Sequence, residues 1–219
     1  MPPSAEILAR GPWAPSEIEI AWRTEPFQPD AATNAEADRR LDQLRERGSP
    51  SYDGFAARMV SFEAGPTGLR LVLEPIRWAL RLLSDGAADS VSALCIVRAA
   101  DGSWLAGRRA GWVASWAGRW ALGAGGSVEV DENPTDTLAR ELEEEWGVRP
   151  ERLQVEALIR LANGMVMFVG QAWLLAGATV RPDDEHDSFA WWPPAVEQWP
   201  SEADSPLRSI AALLHDPVS

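Results

Sequence analysis

The spacing of apolar positions changes several times along the chain, and each change predicts an element. Val91–Arg98 and Trp104–Arg109 are dense apolar runs around Asp101-Gly102, the pattern of two strands joined by a tight turn. Arg119–Leu122 reads as a further short strand running into the glycine-rich stretch 123–126. From 134 to 146 the spacing becomes helical, with Leu138, Leu142 and Trp146 on one stripe. Asn133 suits the cap of that helix, Pro134 its first position and Gly147 a left-handed stop. Val155–Leu161 and Met165–Leu175 flank Asn163-Gly164 as a hairpin, Phe189–Trp192 reads as a short strand, and Pro206–His215 as a closing helix. Upstream, the first 30 residues are proline-rich, with Ile18–Trp22 as the one clear strand. Asn34–Arg47 reads as a helix capped by Asn34 and ended by Gly48. Phe55–Glu63 and Leu69–Glu74 read as strands around a Gly-Pro-Thr-Gly turn, and Ile76–Ser84 as a short helix stopped at Gly86. The pattern shifts at 86–89, which divides the chain into an N-terminal accessory region, 1–88, and a larger domain, 89–219. Strands mixed with a few helices place the fold in the α/β or α+β class.

Composition narrows the chemistry. All 20 basic residues are arginine, so a Walker phosphate loop, a Schiff-base lysine and a pyridoxal-phosphate anchor are excluded. Cys95 is the single cysteine, which excludes an internal disulfide and a thiolate metal cage; its apolar strand makes it a core residue. Two histidines, His186 and His215, are too few for a zinc protease motif, and His186 reads as a loop residue. A net charge of −13 is a poor match for DNA or RNA. No apolar run approaches the length of a membrane span, and the start lacks the pattern of a signal peptide. The expectation is a cytoplasmic protein that binds small molecules rather than a membrane or a nucleic-acid polymer. The charge is also uneven: residues 129–145 carry −7, residues 183–187 carry −4, and the rest of the chain only −2.

The first acidic segment contains the candidate chemistry. At roughly 100° per residue, Glu141, Glu144 and Glu145 share an arc of about 100° on the 134–146 helix, with Glu143 apart from them. Like charges on one helix face cost about a few tenths of a kcal/mol per pair. A hard divalent cation removes that repulsion, and donors that are all oxygen select Mg²⁺ or Mn²⁺. The plain alternative is a solvated acidic face. It leaves unexplained the glycine-rich backbone just before the helix and the placing of Glu132 eight residues before Arg140, where the pair could brace loop against helix.

Residues 126–148, GSVEVDENPTDTLARELEEEWGV, resemble the Nudix box GX5EX7REUXEEXGU, in which U is aliphatic. Gly126, Glu132, Arg140, Glu141, Leu142, Glu144, Glu145, Gly147 and Val148 fill every specified position. The likeness extends over roughly 91–219, through the Trp120-Ala-Leu122 lead-in and the later Glu185-His186…Trp192 stretch. One departure is the lead-in Leu122-Gly-Ala-Gly-Gly126, one residue longer than the common Leu-Pro-Gly-Gly and without its proline. That form resembles the branch that includes isopentenyl diphosphate isomerases, whose catalytic cysteine and metal-binding histidines have no counterpart here.

The resemblance implies an α-β-α sandwich around a mixed sheet, with a small N-terminal α/β extension. It also implies a Mg²⁺- or Mn²⁺-dependent hydrolase that cleaves the diphosphate of a small nucleoside diphosphate derivative, a nucleotide sugar among the candidates. By correspondence Glu141, Glu144, Glu145 and the backbone carbonyl of Gly125 would hold metal. Glu144 and Glu185 are alternative general bases. Arg108, Arg109 and Arg119 are candidate phosphate clamps, and Trp112 and Trp116 candidate stacking surfaces, beside plain structural readings of each. A non-catalytic nucleotide sensor on the same fold is the rival reading. Residues 1–88 could serve as lid, homodimer interface or substrate element, and their order around Tyr52-Asp-Gly is similar to the leader of Nudix enzymes acting on UDP-sugars.

Overall fold

Alternation along one strand decides how the layers stack. In β5 (Val91–Arg98), Val91, Ala93, Cys95 and Val97 face one core while Leu94 and Ile96 face another. Six of the eight residues of this strand are buried, which makes it the centre of the molecule. The structure, a computed structural model, describes residues 5–50, 52–83 and 88–215.

Among the described residues the strands form two sheets. The larger runs β1 (Glu6–Trp13), β9 (Arg152–Arg160), β10 (Val166–Trp173), β5, β6 (Trp104–Arg109) and β11 (His186–Trp192). It is mixed, because β10 lies parallel to β5 and antiparallel to β9. Two short strands, β7 (Trp120–Leu122) and β8 (Ala124–Ser127), pair with β6 and β5 respectively. Helix α2 (Pro134–Trp146) lays Leu138, Leu142 and Trp146 on one face of this sheet. Helix α3 (Ser205–His215) lays Leu207 and Ala211 on the other, against Ile96, Ala157, Ile159 and Val169. The α-β-α layering follows from burying both faces of the central strands, each sealed aliphatic side chain being worth about 1.5–3 kcal/mol.

The smaller sheet runs β2 (Ile18–Trp22), β4 (Gly68–Arg77) and β3 (Phe55–Gly65). Leu69, Leu71 and Leu73 of β4 join the same core as the α2 stripe. Its other side packs Ala56 and Ile76 against Ala37 and Leu41 of helix α1 (Ala31–Glu46). Backbone bonds fix it to the segments before α2 and before β5: Ala57 N–H donates to the Val128 carbonyl at 2.8 Å, and Met59 N–H to that of Asp89 at 2.9 Å.

Several elements differ from their sequence expectation. The proline-rich start contains a second strand, β1, which Gly11-Pro12 disguises as a turn. It pairs with β9 as an edge strand, with register shifts at Ile7/Ala9 and Arg10/Trp13 that break its alternation. Helix α1 starts three residues earlier than expected because Asp30, not Asn34, is the cap; the Asp30 carboxylate accepts from Thr33 N–H at 2.8 Å. The short helix expected at 76–84 is the end of β4 followed by a single-turn helix, Trp78–Leu82. Asp53 takes Arg77 Nε at 2.7 Å and Ala79 N–H at 3.0 Å, so tertiary bonds compete with a longer helix. Gly86, expected to end that helix, and Ala87 of the 86–89 boundary lie outside the described residues. His186 opens β11 rather than lying in a loop.

Candidate active site

A fork in the large sheet makes room for the glycine-rich run. β5 and β6 pair only at Arg98 and Trp104 and then separate, and β8 and β7 fill the gap. Gly123 joins those two strands at φ +63, where an added Cβ would lie 1.8 Å from the Cys95 carbonyl oxygen. Only glycine can bring the chain across at this point. The Gly123 carbonyl accepts from Trp146 Nε1 at 3.0 Å, so the crossing is tied to the last turn of α2.

Asn133 caps α2 by accepting from Thr135 N–H at 3.0 Å, and Gly147 ends it at φ +65. The helix therefore presents its carboxylates to the glycine run. Glu145 is buried at 4% exposure; one oxygen accepts from Gly125 N–H at 3.1 Å and Oε2 has no hydrogen-bond partner. Glu141 packs onto Gly126, where a Cβ would come within 2.1 Å of its Oε1. Burial pushes the Glu141 carboxyl up to about 7, partly offset by Arg140, with the charges of Glu144 and Glu185 adding to the rise. Burial also raises Glu145 well above the carboxylate range, against the pull of Arg109 and Gly125 N–H.

Arg140 organises the box. Nε and Nη2 take the two oxygens of Glu132 at 2.9 and 3.0 Å, and Nη2 also donates to the Ser127 carbonyl at 3.2 Å. Nη1 donates to Glu141 at 2.7 Å and to Glu144 at 3.1 Å. Glu132 accepts in addition from Thr137 Oγ1 and Glu129 N–H. Burial alone would raise Glu132, but these donors together hold it below its ordinary value.

Arg109 joins the two acidic segments. Nη2 pairs with Glu185 at 2.8 Å and Nη1 lies 3.6 Å from Oε2 of Glu145. Glu185 is fixed from behind, its carbonyl accepting from Ala110 N–H at 2.7 Å. His186 is a site residue that sequence reasoning missed. Its side chain is buried, its ring lies 4.5 Å from that of Trp146, and Nε2 lies 3.6 Å from Oε2 of Glu145. Burial lowers its pKa, so the imidazole is neutral at pH 7, and Asp183 at 3.1 Å from Nδ1 fixes the proton there. The only sequence hint was its position beside Glu185.

These groups line a cleft of about 1760 Å³. Trp112, Trp116 and Arg119 also line it, with the Arg119 guanidinium 4.4 Å from the Trp116 ring centroid and paired with Asp204. Arg108 is not part of the lining; strand alternation turns it away, and Nε points to the Gly118 carbonyl at 3.4 Å. The N-terminal region adds Tyr52, Phe55, Trp78 and Arg81. Trp192 packs in the core, against Trp120 and Trp199.

Among the described residues no three acidic, histidine or cysteine side chains form a ready cage for an ion, since Glu141 and Glu144 are both drawn onto Arg140. The donors nevertheless fit a hard cation. Glu145 Oε2 is buried without a hydrogen-bond partner beside a second carboxylate of raised pKa, and every donor is oxygen.

The model of the NUDIX domain family matches residues 89–213, more than half of the chain. The chain belongs to the NUDIX family. Among solved structures it resembles the MutT protein from Methanosarcina mazei Go1, with 24% identity over 58% of this chain and 96% of that one and a TM-score of 0.43. It also resembles the E. coli ORF135 protein, with 27% identity over 59% of this chain and 94% of that one and a TM-score of 0.40. A third is the NUDIX domain of Shewanella oneidensis NrtR, solved with ADP ribose, with 20% identity over 58% and 89% and a TM-score of 0.45. No match was found among curated proteins. No helix among the described residues is long and apolar enough to cross a membrane. The NUDIX match begins at 89, yet β1 and the small sheet, which precede it, share the sheet and the core of the matched domain.

The buried NUDIX glutamates make stability depend on pH. Glu141 titrates at about 7 against an ordinary 4.5, so its contribution to stability is complete below the lower value and lost as pH rises through the upper. In metal-free buffer the loss amounts to about 3 kcal/mol. Melting curves of wild type and Glu141→Gln should diverge as pH rises from about 5 to 8, with the variant the more stable at the alkaline end. Parallel curves would show that the buried carboxyl titrates normally.

Proposed function

We propose that this NUDIX protein is a Mg²⁺- or Mn²⁺-dependent hydrolase that cleaves the diphosphate linkage of a small nucleoside diphosphate derivative, nucleotide sugars included. The observation that carries the reading is Glu145: a buried carboxylate with one oxygen that lacks a hydrogen-bond partner, beside Glu141 in the wall of a cleft that also holds Arg109. Glu141, Glu144, Glu145 and the carbonyl of Gly125 would hold metal. Bound there, it supplies charge neutralisation for diphosphate oxygens and acidifies a water.

The protein's own groups supply position and proton transfer. Arg140 holds Glu141 and Glu144 on one side of the helix through a single nitrogen, Nη1. Arg109 draws Glu185 to the site at 2.8 Å while leaving it 38% exposed, reachable by a water on the cleft side. Glu185 is therefore the proton acceptor in this reading, and Glu144, at 58% exposure, lies further into solvent. Trp112 and Trp116 offer faces for a base, and Arg119 a charge beside them.

A screen over nucleotide sugars, dinucleoside polyphosphates and ADP-ribose, with Mg²⁺ or Mn²⁺ and chromatographic detection of the phosphomonoester products that cleavage of the diphosphate leaves, tests the activity. Turnover that EDTA abolishes supports it, whereas ligand binding without any turnover would make the protein a nucleotide sensor. Glu185→Gln should lower kcat by about 10²-fold or more. A loss under tenfold, with a larger one for Glu144→Gln, would transfer the role of base to Glu144.

A further inference from the structure

One cation in the cleft has no part in the reading above. Arg81 lies in the single-turn helix Trp78–Leu82, outside the matched family domain, and lines the same cleft as Glu141 and Glu145. Among the described residues its guanidinium makes one hydrogen bond, from Nη2 to Ser92 Oγ at 2.6 Å, and lies 5.6 Å from the Trp78 ring centroid. Among the described residues no carboxylate comes within ion-pair distance of it. Its neighbours differ: Arg77 is paired with Asp38 and Asp53, Arg58 with Glu74, Arg109 with Glu185 and Arg140 with Glu132.

The turn that carries Arg81 is docked on the strands that carry the box. Trp78 Nε1 donates to Ser127 Oγ at 3.0 Å, and Ser127 pairs with Ser92 across β8 and β5. Ser92 is buried, so its hydroxyl is a fixed anchor for one edge of the guanidinium. A guanidinium has five N–H donors in a rigid fork, and Arg81, which lines the cleft, places one nitrogen on Ser92. Burial lowers its pKa to about 10, which still leaves it charged at neutral pH, and Glu141 is near enough to oppose that fall. Among the described residues Arg81 is a half-buried cation with Glu141 beyond ion-pair distance, so it keeps donors for an anion in the cleft.

We infer that Arg81 binds a phosphate oxyanion of the substrate, so that residues before the family domain complete the diphosphate site facing the box. The inference rests on the cleft being a diphosphate site, and it names the residue through which the N-terminal region takes part. Calorimetric titration with inorganic pyrophosphate in EDTA tests it without metal or turnover. Wild type should bind, Arg81→Met should bind about 10- to 100-fold more weakly, and Arg81→Lys should fall between them. Arg39→Met, which removes an exposed arginine of α1, should match wild type. The Tm of Arg81→Met should equal or exceed that of wild type, because the variant keeps the apolar stem and loses an unpaired charge.

Pyrophosphate affinity within twofold of wild type in Arg81→Met would overturn the inference. So would a fall in its Tm of about 10 °C or more, which would make Arg81 a strut of the fold. Turnover in the substrate screen together with binding that ignores Arg81 would remove this inference alone. Binding that depends on Arg81 without turnover would remove the hydrolase reading alone.

Discussion

Glu145→Gln is expected to lower kcat by about three orders of magnitude or more while leaving Tm unchanged or raised. The two effects have separate causes in one side chain. Oε1 accepts from Gly125 N–H at 3.1 Å, and a glutamine oxygen can take over that bond without moving the glycine run. Oε2 lies within 3.6 Å of Arg109 and His186 but bonds to neither, so an amide in its place breaks no hydrogen bond. Burial already raises the carboxyl well above the usual range, so the fold disfavours its ionised form, a penalty that glutamine does not carry. The negative charge is what a divalent ion would need. Melting curves should show Mg²⁺ raising the Tm of wild type and not of the variant, since a ligand stabilises only the state that binds it. Near wild-type turnover would end the assignment of Glu145 as a metal ligand.

The parts of this site that could be read from the sequence are those whose causes are local. Helix α2 has its expected limits because Asn133, Pro134 and Gly147 act on backbone within a turn of themselves. The strands β5 and β6 also keep theirs, since a run of buried apolar residues needs only its neighbours to define it. The parts that could not be read depend on partners distant in the chain. β1 is a strand because β9, about 150 residues later, offers it an edge. The turn at Trp78–Leu82 is held by Asp53, which takes its Ala79 N–H and the Arg77 side chain just before it. His186 appears as one polar residue in an acidic run, and only the closing of β11 onto β6 brings it to Trp146 and Glu145. Arg108 and Arg109 are equivalent as sequence, and the strand's alternation is what separates them. Arg81 is the extreme case, an arginine from the accessory region whose hydrogen-bond acceptor, Ser92, belongs to the family domain.

Arg140→Met should lower both stability and activity, and the comparison with Glu145→Gln separates framework from chemistry. Arg140 is 27% exposed and Glu132 16%, so the pair is largely out of solvent, and its two parallel bonds are of the fork-on-carboxylate kind. Removing the guanidinium strands a Glu132 carboxylate that burial disfavours, at a cost of about 2–4 kcal/mol. It also releases Glu141 and Glu144, now held by one nitrogen, and lets the loop from Ser127 to Glu132 leave the helix. Loss of such an orienting contact lowers activity by about 10- to 100-fold, less than loss of a metal ligand. Lysine should restore little, because one ammonium cannot span Glu132, Ser127 and the two helix glutamates together. A double-mutant cycle with Glu132→Gln isolates the pair: the second substitution should cost much less once the first is made, with a coupling of about 1 kcal/mol or more. Losses that simply add would show that Arg140 acts through Glu141 and Glu144 alone, and the brace between loop and helix would then have no energetic basis.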